Sequence, residues 1–175
     1  MEQIWVERQL DIDNLLEKRS FFLLGPRQTG KTSLIRHLLP NVPFYDLLDS
    51  STYLALSRQP DRLAQELGPS KRVIIDEIQQ LPSLLNEVHR LIEARGVHFL
   101  LTGSSARKLR RGGMNLLGGR AWVKYLHPLT YMELGERFDL YRAMERGLLP
   151  SIYFSEARPL HNPRNFPFPD LPQNE

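Results

Sequence analysis

The sequence contains no cysteine, so it can form neither a disulfide nor a thiolate metal site, a composition that fits a reducing compartment. It also lacks an excess of either charge. Against 23 Lys and Arg stand 20 Asp and Glu, a formal net charge of +3, and a balance this close does not point to nucleic acid or a membrane surface as a partner. Long apolar runs are missing too. The opening "MEQIWVERQLDIDNLL" carries acids from its second residue and holds no signal-like apolar stretch, and nowhere does a run reach membrane-spanning length. The expectation is a soluble cytoplasmic protein with no membrane partner. No repeat of solenoid period is visible, and His37, His89, His98, His127 and His161 lack metal-ligand spacing.

What is present suffices for one core: 175 residues, 41% of them hydrophobic, the size of a single domain. Ser20 to Leu24, "SFFLL", reads as a buried strand. Leu34, Ile35, Leu38 and Leu39 then recur at helical spacing until Pro40. Val42 to Leu47 is a second strand candidate, followed by a polar helix from about Asp61 to Leu67, with Pro60 in its first turn and Gly68-Pro69 beyond its end. Val73 to Asp76, "VIID", is a third strand. From Ser83 a helical face runs through Leu84, Leu85, Val88, Leu91 and Ile92 to a stop at Gly96. Val97 to Gly103 and Ala121 to Leu126 supply a fourth and fifth strand. Thr130 to Glu133 has capping-box spacing and opens a helix expected to include Leu134 and Phe138. Strands alternating with helices imply an α/β fold with a parallel sheet covered on both faces.

The last twenty residues differ in character, with prolines at 159, 163, 167, 169 and 172. That density excludes helix and interrupts any ladder, so 1–155 is assigned to the folded core and 156–175 to an extended or disordered tail. A proline-motif ligand is the sharper alternative for the tail.

Between the first strand and its helix lies "GPRQTGKT", Gly25 to Thr32, which meets every fixed position of the G-x-x-x-x-G-K-[ST] phosphate-loop (Walker A) pattern. Its four fixed positions arise by chance in roughly under one in a hundred chains of this length, and the strand before and helix after reduce that further. The glycines let backbone N–H groups approach phosphate oxygens, and the helix adds its positive end. Lys31 is expected on the β- and γ-phosphates and Thr32 on Mg²⁺. The binding set is Gly25, Pro26, Arg27, Gln28, Thr29, Gly30, Lys31, Thr32 and Ser33. At Arg27, Gln28 and Thr29 the backbone is expected to matter more than the side chain.

"VIIDEIQ" adds an acid at the end of a neighbouring strand. Asp76 is placed to hold the Mg²⁺ shell, in the Walker B manner, and Glu77 to polarise an attacking water. No Asn-Lys-x-Asp guanine reader and no protein-kinase motif is present, so ATP is the expected nucleotide. "LLTGSSARKLRR" follows. Thr102, Ser104 or Ser105 would lie beside the γ-phosphate if this strand sits between the first and third, while a helix cap at Ser104 or Ser105 remains an equal reading. Arg107, Lys108, Arg110 and Arg111 form the densest basic run, open to a nucleic-acid contact or a solvated helix face. Arg120 has two readings, an arginine finger on a neighbour's phosphate or a salt bridge; Trp5 likewise, as an adenine contact or a core residue.

With "FFLLGPRQTGKTSLIRHLLP", "VIIDEIQQLPSLLNEVHRLIE", "FLLTGSSARKL" and "LLGGRAWVKYLHPLTYMEL" in this order, the chain resembles the predicted ATPases of the AAA+ superfamily of bacteria and archaea, from roughly Ile4 to Phe154. The resemblance implies a P-loop NTPase three-layer αβα sandwich with a five-stranded parallel sheet of order 5-1-4-3-2. It also implies ATP with Mg²⁺, and roles for Lys31 and Thr32 on phosphates and metal, Asp76 on metal, Glu77 on water, Ser104 as sensor and Arg120 as the arginine of a Gly-Arg pair. It brings an unidentified protein or DNA client, and a homo-oligomer, into view. Such proteins usually continue into a helical lid and a larger C-terminal domain. Here the pattern gives way to prolines after "GLLPSIYFSE", so the expectation is a truncated member: an ATPase core, or else a nucleotide-holding module without catalysis.

Overall fold

The computed structural model describes residues 4–104, 109 and 117–155. Ser105, Arg107, Lys108, Arg110 and Arg111 lie outside the described residues, as does the tail 156–175.

Five strands, β1 (Ser20–Leu24), β2 (Phe44–Asp46), β3 (Arg72–Asp76), β4 (His98–Gly103) and β5 (Ala121–Tyr125), form one sheet in the order β2-β3-β4-β1-β5. Every neighbouring pair is parallel. This is the expected 5-1-4-3-2 order read from the opposite edge. Leu24 pairs with Gly103 on one side and Tyr125 on the other, and Ile75 with Leu101. The carboxyl ends of β1, β3 and β4 therefore meet along one rim, where open α/β sheets bind ligands.

The apolar runs in β1, β3 and β4 are continuous because both faces are covered. Phe21, Leu23, Ile74 and Leu100 pack against α1 (Ile12–Lys18) and α2 (Lys31–Leu38) through Ile12, Leu16, Leu34 and Ile35. Phe22, Leu24, Ile75 and Leu101 face the other way, onto Leu56 of α3 (Ser50–Arg58), Leu63 of α4 (Arg62–Glu66) and Leu85, Val88 and Leu91 of α5 (Leu85–Arg95). Alternation along each strand thus divides the core into two halves, one per face. A third, smaller cluster of Leu129, Leu134 and Tyr153 joins α6 (Tyr131–Leu134), α7 (Leu140–Arg146) and α8 (Pro150–Tyr153).

The differences from the sequence reading have local causes. Helices α7 and α8 were not expected from the sequence, nor were α1 and α3. Asp11 caps α1 by accepting from Asn14 N–H, and Asp49 caps α3 by accepting from Thr52 N–H, but each helix is short and buries only one or two residues. Strand β2 is shorter than Val42 to Leu47, since Val42 N–H is taken by Leu39 O in a turn. The capping box at Thr130 and Glu133 forms as expected, yet α6 stops after four residues. Gly135, at φ 53°, ends it, and Phe138 lies beyond a further 3₁₀ turn. The helix expected to run from Thr130 through Phe138 is thereby corrected.

Candidate functional site

The loop from Gly25 to Gly30 leaves the carboxyl end of β1 and runs into α2. Gln28 (φ 65°) and Gly30 (φ 86°) both take positive φ, the kind of backbone turn from which nest-type anion sites are built. Arg27 and Gln28 are exposed, whereas Thr29 is fully buried and its hydroxyl donates to Pro26 O at 2.9 Å. The Thr29 side chain therefore helps to shape the loop, beyond the backbone role that the sequence suggested.

Lys31 opens α2 and is buried. Its ammonium donates to Gly25 O at 2.8 Å and Pro26 O at 2.9 Å, and among the described residues no carboxylate reaches it within 4 Å. Burial holds its pKa below the usual lysine value; the charges of Glu77 and Asp76 work against that shift, and Arg27 works with it. A buried ammonium with carbonyl partners alone is a poor structural anchor and a good anion receptor.

Across from it, Thr32 Oγ1 donates to Asp76 Oδ2 at 2.7 Å. The buried Thr102 hydroxyl donates to Asp76 Oδ1 and accepts from the Glu77 N–H at 2.9 Å. One hydroxyl on β4 thus braces both acids of the neighbouring strand end, a role that differs from the phosphate contact considered for Thr102. Glu77 has φ 57°, ψ 45°, a conformation that costs energy for a residue with a Cβ and concentrates at functional sites. Its turn sends the two acids different ways, Asp76 into the Thr32–Thr102 bracket and Glu77 onto a cleft of about 510 Å³ shared with Gly30, Lys31, Thr32 and Ser33. Glu77 Oε2 accepts from Gln79 Nε2 and, at 3.3 Å, from Ser104 Oγ. Replacing Thr102 with Val would strand a buried carboxylate oxygen and an N–H, at about 1–3 kcal/mol. A melting temperature lowered by several degrees, read by circular dichroism, is the expected result.

Behind the loop is a narrow slot of about 60 Å³ lined by Trp5, Val6, Thr29, Ser33, Leu129 and Pro150. Gly30 and Ser33 border both the slot and the cleft. The Trp5 ring stacks on His37 with centroids 3.8 Å apart.

The fold therefore brings together the loop, Asp76, Glu77 and Ser104. It does not bring Arg120 to the loop of the same chain. Arg120 precedes β5, whose first residue pairs with Ser20 at the opposite end of the sheet, and its guanidinium forms a half-exposed ion pair with Glu93 of α5. Ser105 and the basic run to Arg111 lie outside the described residues. Two residues that no motif singled out stand next to the site: Gln79, for which the polar pair after "VIIDEI" was the one available signal, and Arg8, which no local pattern marks.

A parallel 5-1-4-3-2 sheet with a glycine loop entering a helix at its central strand and an acid at the end of β3 defines a P-loop NTPase core. A family model described as an AAA domain matches residues 17–135, and the chain belongs to that family of AAA-type ATPase domains. Among solved structures it is similar to the Orc1 protein of Aeropyrum pernix in complex with DNA, at 18% identity and TM-score 0.52, over 77% of this chain and 48% of that one. It is also similar to a signal transduction ATPase with numerous domains, carrying a tetratricopeptide repeat sensor, from Pyrococcus horikoshii, at 18% identity and TM-score 0.48, over 86% of this chain and 27% of that one. The chain thus spans about half of the first and about a quarter of the second. None of the curated proteins matches it. Among the described residues no helix is long and apolar enough to cross a membrane.

Proposed function

We propose that this chain binds ATP with Mg²⁺ and hydrolyses it. The observation that carries the reading is the buried Lys31 ammonium, bonded among the described residues only to loop carbonyls, facing a hydroxyl–carboxylate pair in Thr32 and Asp76. Such a cation is stabilised by a polyphosphate, and the adjoining oxygen donors are hard ligands of the type a divalent magnesium ion takes. The donor set fits that ion, and when bound it would neutralise charge on the phosphates. In this reading Lys31 moves from Gly25 O and Pro26 O to the phosphates, and Thr32 and Asp76 hold the metal shell. Glu77 accepts a proton from the attacking water, and Ser104, bonded to Glu77 Oε2, registers the γ-phosphate.

Titration of Lys31→Ala with magnesium-ATP is expected to show an affinity weaker by at least about 30-fold, from the loss of charge-assisted hydrogen bonds. Equal affinity for wild type and variant would sink the assignment. The client of the core is proposed to be a macromolecule, protein or DNA, with Arg120 serving a neighbouring copy in an assembly. The likeness to the DNA-bound Orc1 chain supports the fold alone.

A further inference from the structure

Arg8 lies in the leader, ahead of the stretch that matches the family, yet its side chain is only 6% exposed, as Glu133 is only 5%. Its Nε donates to Glu133 Oε1 at 2.9 Å, its Nη1 to Thr29 O at 2.9 Å and its Nη2 to His127 O at 2.6 Å. Glu133 in turn accepts from Gln9 N–H at 3.1 Å and Thr130 N–H at 2.9 Å. Four segments meet in this one guanidinium–carboxylate pair: the leader, the loop after β1, the connection after β5, and α6. Burial opposes ionisation of Glu133, but its hydrogen bond from Arg8, the N–H groups of Thr130 and Gln9, and the Arg8 charge together hold its carboxyl below the usual range. The pair is therefore charged at neutral pH.

A buried ion pair is a weak reason for stability, because desolvation offsets much of the attraction. Its geometry suggests another use. Thr29 stands between Gln28 and Gly30, both at positive φ, and Gly30 is a residue whose backbone turns easily. A trans peptide is planar, so its C=O and N–H point in opposite directions. Anchoring Thr29 O on Arg8 therefore aims the Gly30 N–H away from Arg8. It also polarises that N–H, since hydrogen bonds in a chain strengthen one another. A lysine has a point charge without the rigid fork and cannot reach three acceptors in fixed directions.

We infer that Arg8, held in place by Glu133, is a positioning residue for the phosphate loop: it orients the Thr29–Gly30 peptide for a bound phosphate and ties that orientation to α6. This rests on the nucleotide reading above. The test uses the full 175-residue chain, magnesium-ATP as the probe and calorimetric titration well below the melting temperature, with circular dichroism of the nucleotide-free protein alongside. Arg8→Lys is expected to bind about tenfold more weakly while remaining folded. Glu133→Gln, which keeps the capping-box pattern of α6, should show a smaller loss in the same direction. A purely structural role would change melting without changing affinity in the folded protein. Several-fold weaker binding in a folded variant supports the inference; wild-type affinity in every folded variant, or loss of fold in both, overturns it. Wild-type affinity in Lys31→Ala would remove the nucleotide reading and this inference with it, a failure which that control identifies separately.

Discussion

Glu77→Gln is expected to lower the rate of ATP hydrolysis by about 10²–10⁴-fold and to change magnesium-ATP affinity by less than about threefold, as befits a group that acts in the transition state. In this proposed role Glu77 is positioned by its backbone more than by its neighbours in sequence. A left-handed turn at φ 57°, pinned by the N–H bond to Thr102, directs its side chain onto the cleft beside Lys31, while Asp76 turns into its bracket of hydroxyls. Glutamine has the same shape and keeps a carbonyl for Gln79 and Ser104, but it cannot take up a proton at neutral pH. A single-turnover measurement separates the outcomes. Identical rates in wild type and variant would mean that the chain holds nucleotide without catalysing its hydrolysis.

The second large effect is structural. A Cβ at Gly25 would stand 2.2 Å from Leu126 O and 3.2 Å from its carbonyl carbon. Backbone at that distance cannot give way as a flexible side chain could. Leu126 is itself tied to β1, its N–H donating to Leu24 O at 2.7 Å, so the intruding methyl must push apart the end of β1 and the segment after β5. Gly25→Ala is expected to cost about 3 kcal/mol, the upper range for overpacking, and to lower the melting temperature by roughly 6–12 °C for a domain of this size. Nucleotide binding should weaken as well, because the same clash displaces the start of the loop that leads from β1 to Lys31. A melting curve within about 2 °C of wild type would show that the contact is relieved at little cost. Gly30 is a contrast: a Cβ there meets nothing within 4 Å, and its constraint is conformational, at φ 86°.

Several elements were legible because their cause is local. The run "SFFLL" is buried at every position, and Gly96 closes α5 in the left-handed conformation, at φ 61°. Thr130 and Glu133 cap each other across one turn. The strand order came from the resemblance carried by four stretches in sequence, and the sheet agrees with it. Less legible were α1 and α3, whose caps are ordinary aspartates and whose apolar faces are too short to establish a period. The extent of α6 was misread because a capping box marks where a helix starts and says nothing about a glycine five residues on.

At the site, the amino-acid order by itself determined that a glycine loop, a lysine and a pair of acids would be presented at strand ends, since loop spacing and apolar runs are properties of contiguous residues. Tertiary structure alone decided what each polar group touches. Thr102 braces Asp76 across 26 positions of chain, and Arg8 meets Glu133 across 125. Such partners follow from strand order and register, and from burial, which drives most enclosed donors and acceptors to find a mate. No local pattern encodes a mate that the chain reaches only after folding.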